Sequence, residues 1–147
     1  MKVLFDTSTL VASSIREHPF FDWSSTWVKR ALRGEVEGFI STHSMAELFA
    51  ILTAHPKTRF PVAQATQAIE ALLRSLQPTA LDASDYRTAL ARAAELKLMG
   101  GAIYDVLHAQ AFLKAGADSL VTLNAKHFLR LGEDIALKVE SPSDLSS

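Results

Sequence analysis

Residues 100–128 read GGAIYDVLHAQAFLKAGADSLVTLNAKHF, and this stretch decides the fold class. Its Gly-Gly pair ends the preceding alanine-rich segment, and residues 103–115 have the composition of a helix that Gly116 terminates. Residues 119–123 (SLVTL) form a short apolar run typical of a buried strand, and a short helix is expected over 125–131. The stretch therefore predicts a helix, a strand and a helix in immediate succession.

The same alternation extends over the rest of the chain. The other expected strands are 2–5, 36–41, 77–81 and 135–139. The other expected helices are 7–14, a segment from Asp22 to Gly34, 42–54, 62–76 and 84–98. Strands separated by one or two helices predict an α/β fold of three layers, in which a mostly parallel central sheet is flanked by helices. Ligands of such folds bind at the carboxyl ends of the strands.

Composition limits the class of protein. The 147 residues are 48% hydrophobic and carry a net charge of −1, which suits one folded domain over 1–140 with a polar C-terminal tail over 141–147. No apolar run approaches the ~20 residues needed to span a bilayer, and Asp6 interrupts the N-terminal apolar run, so we expect neither membrane insertion nor a signal peptide. The lack of cysteine fits the cytoplasm and restricts metal ligands to oxygen and imidazole donors.

Two acids, Asp6 and Asp105, lie next to apolar segments, where a carboxylate requires a specific structural or functional role. Asp6 directly follows the apolar strand 2–5, where it could cap the next helix or face a ligand at the sheet edge. Asp105 lies near the start of a helix, where the helix dipole favours a negative charge. Its neighbours are nevertheless apolar, and an apolar setting requires that a carboxylate be paired, hydrogen-bonded or bound to a metal.

Glu47 has two interpretations that the sequence leaves open. The segment Ser44-Met45-Ala46-Glu47 matches a capping box, in which Glu47 would bond the amide of the N-cap residue. If the helix instead begins at Thr42, Glu47 falls in its second turn and needs another role. Together with Asp6 and Asp105, it would form an oxygen-rich site suited to Mg²⁺ or Mn²⁺. Such sites serve phosphodiester hydrolysis by neutralising the phosphate and activating water.

Three segments, in this order, resemble the PIN domain family and specifically its VapC-like toxins. They are KVLFDTSTLV (2–11), STHSMAELFAIL (41–52) and the stretch 100–128. The resemblance covers about residues 2–139, and it implies a PIN-like fold in which Asp6, Glu47 and Asp105 are the catalytic, metal-binding acids. Ser8, Thr122 and Asn124 would support that cluster. Many relatives carry a further acid in the last motif, where this chain has TLNAKHF, so the cluster would be a triad of acids.

The resemblance also implies an activity and partners. The expected reaction is hydrolytic cleavage of RNA by an endoribonuclease that uses Mg²⁺, or alternatively Mn²⁺. Toxins of this type are restrained by a cognate antitoxin protein and commonly form homodimers. Lys57, Arg59 and Lys126 are candidate contacts to RNA phosphates, although ordinary surface charge is the simpler explanation in a chain that is not basic overall. Neither His43 nor His108 has a second histidine at ligand spacing, and single histidines of this kind are more often structural than metal-ligating.

Two other classes of function remain open at this stage. A binding module for RNA or protein that keeps the fold without a competent site is the main alternative, because the fourth acid is missing. A phosphatase with an aspartyl nucleophile at Asp6 is the other. Phosphatases of that kind need a second acid two residues later, where this chain has Ser8.

Overall fold

The computed structural model, which describes residues 1–56 and 59–143, is built around a five-stranded sheet. The strands are β1 (Lys2–Phe5), β2 (Glu37–Ser41), β3 (Leu76–Thr79), β4 (Ser119–Val121) and β5 (Val139–Glu140). They lie in the order β3-β2-β1-β4-β5, and all neighbouring pairs are parallel. The prediction of a mostly parallel sheet is confirmed.

Helices cover both faces of the sheet. One face carries α1 (Thr7–Ser14), α2 (Phe21–Leu32), α3 (Thr42–Ala54) and α4 (Val62–Leu73). The other face carries α5 (Ala83–Glu95), α6 (Ala102–Ala115), α7 (Ala125–Leu129) and α8 (Glu133–Ala136). Side chains alternate along β1, so Val3 and Phe5 are buried under the first group and Leu4 under the second. The three-layer α/β prediction is therefore confirmed.

The order of the strands creates a crevice beside β1. This strand pairs with β2 on one side and with β4 on the other, and the helices that follow the two strands cover opposite faces. Such a switch point opens a crevice at the carboxyl ends of the strands. The amide of Asp6 extends the pairing by donating to the carbonyl of Val121 at 3.0 Å. The residues just after β1 and β4 are consequently neighbours.

The prediction of a strand over 135–139 is wrong for most of its length. The helix α8 occupies the first part of that segment, and the strand β5 has only two residues. Gly132 turns the chain with a φ of 122°, and Arg92 of α5 then holds the carboxylate of Asp134 through two hydrogen bonds of 3.0 and 2.7 Å. This contact across the helical layer fixes a helical turn that the apolar pattern IALKV does not reveal.

Two helices are shorter than predicted. The helix α4 ends at Leu73, because Leu76 is already part of β3. The helix α5 ends at Glu95, and Lys97 beyond it has a positive φ of 55° that ends the helical geometry. Within residues 1–56 and 59–143, no helix has both the length and the apolar character that a membrane span requires.

Candidate active site at the carboxyl edge of the sheet

Asp6 is buried at the end of β1 and is held by two hydroxyl groups. Its side chain occupies the N-cap position of α1 but makes no capping hydrogen bond. Instead, its Oδ2 accepts hydrogen bonds of 2.8 Å from Ser8 Oγ and from Thr122 Oγ1. Among the described residues no hydrogen bond reaches its other carboxylate oxygen. The capping interpretation therefore fails, and one oxygen of a buried carboxylate is left for another partner.

Asp105 enters the same crevice from the first turn of α6. Its side chain is 22% exposed, with His127 Nδ1 at 3.5 Å and Arg130 Nη2 at 3.7 Å. Burial is the main cause that raises the pKa of Asp105, and the negative charge of Asp6 adds to it, against the opposing effect of the nearby cations. The negative charge of Asp6 thus disfavours the charged form of Asp105. A divalent cation between them would relieve this repulsion.

Glu47 lies in the second turn of α3 and contacts α6. The helix begins at Thr42, and its N-cap Ser41 accepts a hydrogen bond from the amide of Ser44, so the capping box with Glu47 does not form. Glu47 Oε1 instead lies 2.6 Å from His108 Nε2 and accepts a hydrogen bond of 3.1 Å from Thr7 Oγ1. Since Thr7 follows Asp6 directly, this contact connects Glu47 to the end of β1.

His108 is the buried centre of the acidic group. Only 3% of its surface is exposed, and its Nδ1 lies 2.9 Å from Ser41 Oγ. Burial alone would lower the pKa of His108, but the hydrogen bond to Glu47 and the charges of Asp6, Glu47 and Asp105 raise it. For the acid Glu47, partial burial acts in the opposite direction and tends to raise the pKa. The contacts with His108, His43 and Thr7 outweigh this effect, so the pKa of Glu47 is lowered. The pair therefore favours a charged carboxylate beside a charged imidazole.

The remaining candidates from the sequence lie at different distances from this crevice. Ser8 and Thr122 contact Asp6 directly, and Asn124 follows β4 with its amide donating to Thr122 Oγ1 at 2.9 Å. Lys126 is exposed on α7, one residue before His127. Arg59 lies beyond the carboxyl end of α3, which is about 10 Å of helix away from Glu47. Lys57 lies outside the described residues.

Comparison with known proteins assigns the family. The model of the PIN domain family matches residues 3–134, which is most of the chain. The chain belongs to the PIN domain family. The resemblance inferred from the three sequence segments is thereby confirmed. No curated protein sequence matches this PIN domain significantly.

Solved structures of VapC proteins are similar to this PIN domain in fold. A chain of VapBC2 from Rickettsia felis, crystallised with a promoter DNA fragment, has a TM-score of 0.67 and 23% identity, covering 96% of this chain and 98% of that chain. VapBC-1 from nontypeable Haemophilus influenzae gives a TM-score of 0.67 and 18% identity, with the same coverage. VapC20 of Mycobacterium tuberculosis, a toxin that cleaves the sarcin–ricin loop, gives 0.62 and 14%, covering 80% of this chain and 86% of that chain.

Sequence reasoning missed the part that histidine plays in this PIN domain. His43 Nε2 lies 3.6 Å from Glu47 Oε1, and His108 lies closer still on the other side. The i, i+4 spacing of His43 and Glu47 on one helix was visible in the sequence and would have placed them on the same face. His108 is 61 residues from Glu47, and only the packing of α6 against the end of β2 brings them together.

The contact between His108 and Glu47 predicts a pH-dependent stability. Because folding raises the pKa of His108, its protonated form stabilises the fold fully below the ordinary histidine pKa of about 6.5, and this stabilisation is lost as the pH rises through the raised pKa. His108→Gln should lower the free energy of unfolding by about 1–3 kcal/mol near pH 6, since a charge-assisted hydrogen bond is lost. Above the raised pKa, this difference between wild type and variant should narrow.

Urea unfolding in the presence of a chelator measures this difference at each pH. His127→Gln is the matched control, because the His127 side chain is 52% exposed and makes no comparably short contact with any described residue. Its effect on the free energy of unfolding should stay within about 0.5 kcal/mol. A difference for His108→Gln that is constant or grows with pH would contradict the charged pair.

Proposed function

We propose that this PIN domain is a metal-dependent endoribonuclease and the toxin of a toxin–antitoxin pair. The observation that carries the proposal is the convergence of Asp6, from the end of β1, and Asp105, from α6, on the crevice beside β4. Glu47 borders the same crevice through Thr7 and His108. A buried acid that raises the pKa of a partly buried acid from another element is typical of a functional site, and a bound cation would relieve the repulsion.

The donor set of this crevice fits Mg²⁺ or Mn²⁺. Hard divalent ions prefer carboxylate oxygens, and Asp6, Asp105 and Glu47 would hold the ion. One oxygen of the Asp6 carboxylate receives no hydrogen bond from any described residue, while the other accepts from two hydroxyl groups, and this supports the assignment. A bound ion would supply the neutralising charge and the activation of water that phosphodiester hydrolysis needs. Asn124 adds no charge where relatives carry an acid, so a second ion would bind more weakly.

The residues of the chain itself position the acids and receive the RNA. Ser8 and Thr122 fix the orientation of Asp6, and the amide of Leu123 in turn donates to Ser8 Oγ at 3.0 Å. Arg130 has a half-exposed side chain next to Asp105 and suits contact with a phosphate that enters the crevice. Lys126 lies on α7, which ends directly before Arg130, and adds a second cation to this border. The net charge of −1 makes such local cations more important than overall attraction.

The family and its structural relatives support the proposed substrate and partners. The similarity to VapC20, a toxin that cleaves the sarcin–ricin loop, favours structured RNA as the substrate. The similarity to chains of two VapBC complexes favours a cognate antitoxin as protein partner. We extend the proposal to a homodimer that acts in the cytoplasm, where its RNA substrate is available.

Cleavage of an end-labelled, structured RNA tests the proposal. The purified chain, free of antitoxin, is incubated with Mg²⁺, with Mn²⁺ and with excess chelator. We expect endonucleolytic products with 5′ phosphates in both metals and none with chelator. Cleavage that persists in chelator would contradict the metal-dependent mechanism. Absence of cleavage across a panel of ribosomal and transfer RNAs, combined with RNA binding, would support the alternative of a catalytically inactive binding module.

The alternative has one specific observation in its favour. Arg130 places a cation 3.7 Å from Asp105, just after the motif where relatives carry a further acid. This charge partly offsets, without a metal ion, the effect of burial and of Asp6 on the Asp105 carboxylate. Arg130→Gln should weaken RNA binding under both functions, so metal binding separates them. The metal-dependent function predicts that metal affinity at Asp105 is retained or increased, whereas a binding module without a competent site predicts no metal bound at Asp105 in wild type or variant.

Thr122→Val tests how far catalysis depends on the orientation of Asp6. The substitution preserves shape but removes the hydroxyl that donates to Asp6 and accepts from the amide of Asn124. We expect a loss of cleavage rate of about 10–100-fold, as for other partners of metal ligands. The free energy of unfolding should fall by about 1–3 kcal/mol. Thr66→Val, on the exposed face of α4, is the matched control; full activity in the Thr122 variant would contradict the role assigned to this hydroxyl.

A further inference from the structure

A second set of donors lies beside the acidic crevice. His43 and Glu47 on α3 and His108 on α6 each offer one ligand atom, and the three atoms lie within 4.8 Å of one another. The set contains two imidazole nitrogens and one carboxylate oxygen, whereas the crevice at Asp6 and Asp105 offers carboxylates. Because the two sets differ in donor chemistry, they should prefer different ions.

Both histidines are held in the orientation that a metal ligand needs. The Nδ1 of His108 faces Ser41 Oγ at 2.9 Å, which leaves Nε2 directed at Glu47. A metal-bound histidine usually has such a hydrogen-bond partner at its other nitrogen. The ring of His43 stacks on Tyr104, with ring centres 5.1 Å apart and planes inclined by 2°. This stacking directs its Nε2 toward the same carboxylate oxygen, 3.6 Å away.

One donor distance already matches that of a tetrahedral site, and a second comes within reach of it by a side-chain rotation. Bonds of about 2.1 Å to a tetrahedral ion separate two ligand atoms by about 3.4 Å. The distance from His43 Nε2 to Glu47 Oε1 is 3.6 Å, which fits directly. The distance from His108 Nε2 to Glu47 Oε1 is 2.6 Å, that of a hydrogen bond. It must open by about 0.8 Å, which rotation of the partly exposed Glu47 side chain can provide.

We propose that His43, Glu47 and His108 form a binding site for one transition-metal ion of the zinc class. Two histidines and one glutamate suit Zn²⁺ with a fourth position open to water or a substrate group. This set of side chains should bind Mg²⁺ poorly, because Mg²⁺ prefers oxygen donors in octahedral geometry. The ion would take the place of the proton between His108 and Glu47. It would also compete with any ion at Asp6 and Asp105 for Glu47, the only acid that belongs to both described sets.

Zinc binding to the purified, metal-free full chain tests this site without any measurement of RNA cleavage. Competition with a fluorescent zinc indicator gives the affinity and the number of ions bound. We expect one tightly bound Zn²⁺ per chain that a large excess of Mg²⁺ does not displace. His43→Ala is the main variant, because His43 is partly exposed and its removal leaves the buried contacts of His108 in place. Loss of a residue that only hydrogen-bonds to a metal ligand weakens metal binding by about 10–100-fold. Since His43 would bind the ion itself, His43→Ala should weaken Zn²⁺ binding by more than this.

Two further variants locate the ion. His127→Ala removes an exposed histidine 3.5 Å from Asp105 and should leave Zn²⁺ affinity unchanged, as should Asp105→Asn. Loss of Zn²⁺ binding in either of these, with retention in His43→Ala, would move the ion to the acidic crevice and overturn the proposal. Wild type that binds no Zn²⁺, or that binds it no better than Mg²⁺, would overturn it as well. Neither result bears on whether the chain cleaves RNA in Mg²⁺.

Discussion

Asp105→Asn is expected to remove RNA cleavage while increasing thermal stability in the presence of a chelator. Removal of a residue that hydrogen-bonds to a metal ligand reduces activity by at most about 100-fold. Loss of a metal-binding carboxylate itself should reduce the cleavage rate in Mg²⁺ by more than this. Burial and the charge of Asp6 raise the pKa of Asp105, so its charged form destabilises the metal-free fold. Asparagine preserves the shape and removes that charge.

The effect on stability depends on pH in a defined direction. A carboxyl group whose pKa is raised by folding binds its proton more tightly in the folded state, so stability falls as the pH rises through the ordinary and then the raised pKa. The gain in Tm for Asp105→Asn should therefore be present at neutral pH and vanish below the ordinary pKa of 3.8. Thermal unfolding at several pH values in chelator measures it.

Asp118→Asn is the matched control for this prediction. Asp118 is an exposed acid at the opposite end of β4, where its carboxylate accepts a hydrogen bond from the amide of Lys2. The control should cleave RNA at the wild-type rate. Cleavage by Asp105→Asn at the wild-type rate would contradict the active site proposed here. A lower Tm for Asp105→Asn in chelator would instead indicate that its contacts with His127 and Arg130 stabilise the fold more than its burial destabilises it.

Phe112→Ala should produce the largest loss of stability of the changes considered. Phe112 is completely buried on α6, in the core between that helix, α5 and the sheet. Removing a buried phenylalanine side chain costs about 3–5 kcal/mol, because apolar contacts are lost and a cavity remains. This is a large part of the about 5–15 kcal/mol by which domains are stable. Chemical denaturation measures it directly.

The comparison with an exposed residue separates burial from helix propensity. Leu90 lies on α5 and is 57% exposed. Leu90→Ala should therefore change the free energy of unfolding by less than about 0.5 kcal/mol. Since α6 carries both Asp105 and His108, partial unfolding of Phe112→Ala should also lower activity at temperatures that wild type withstands. A cost for Phe112→Ala near that of the control would contradict the position of α6 in the core.

The central part of the fold could be predicted from local patterns. The apolar runs before Asp6 and up to Val121 are short and bounded, and helices separate the other strands, so a parallel sheet is the simple solution. The last strand could not be predicted in the same way. Residues 135–136 belong to a helical turn because Arg92, more than forty positions earlier, binds Asp134. Contacts of that range are invisible to periodicity.

The candidate site shows the same division. Asp6 and Thr122 could be expected to meet, because they follow two strands of one parallel sheet. Asp105 was marked by its apolar neighbours. The contact of Glu47 with His108 depends on how helices from opposite faces of the sheet meet above its edge, which no spacing in the sequence encodes. The roles of all these residues in catalysis remain predictions.

Anomalous scattering from crystals grown with Mn²⁺ locates the ion of the proposed active site. We expect a peak in the crevice beside β1 and β4, about 2.0–2.3 Å from oxygens of Asp6 and Asp105, with Glu47 within direct or water-mediated reach. Crystals of Asp6→Asn should lack that peak. A wild-type protein that cleaves RNA in Mn²⁺ but binds the ion only elsewhere, including only at His43 and His108, would contradict the proposed active site.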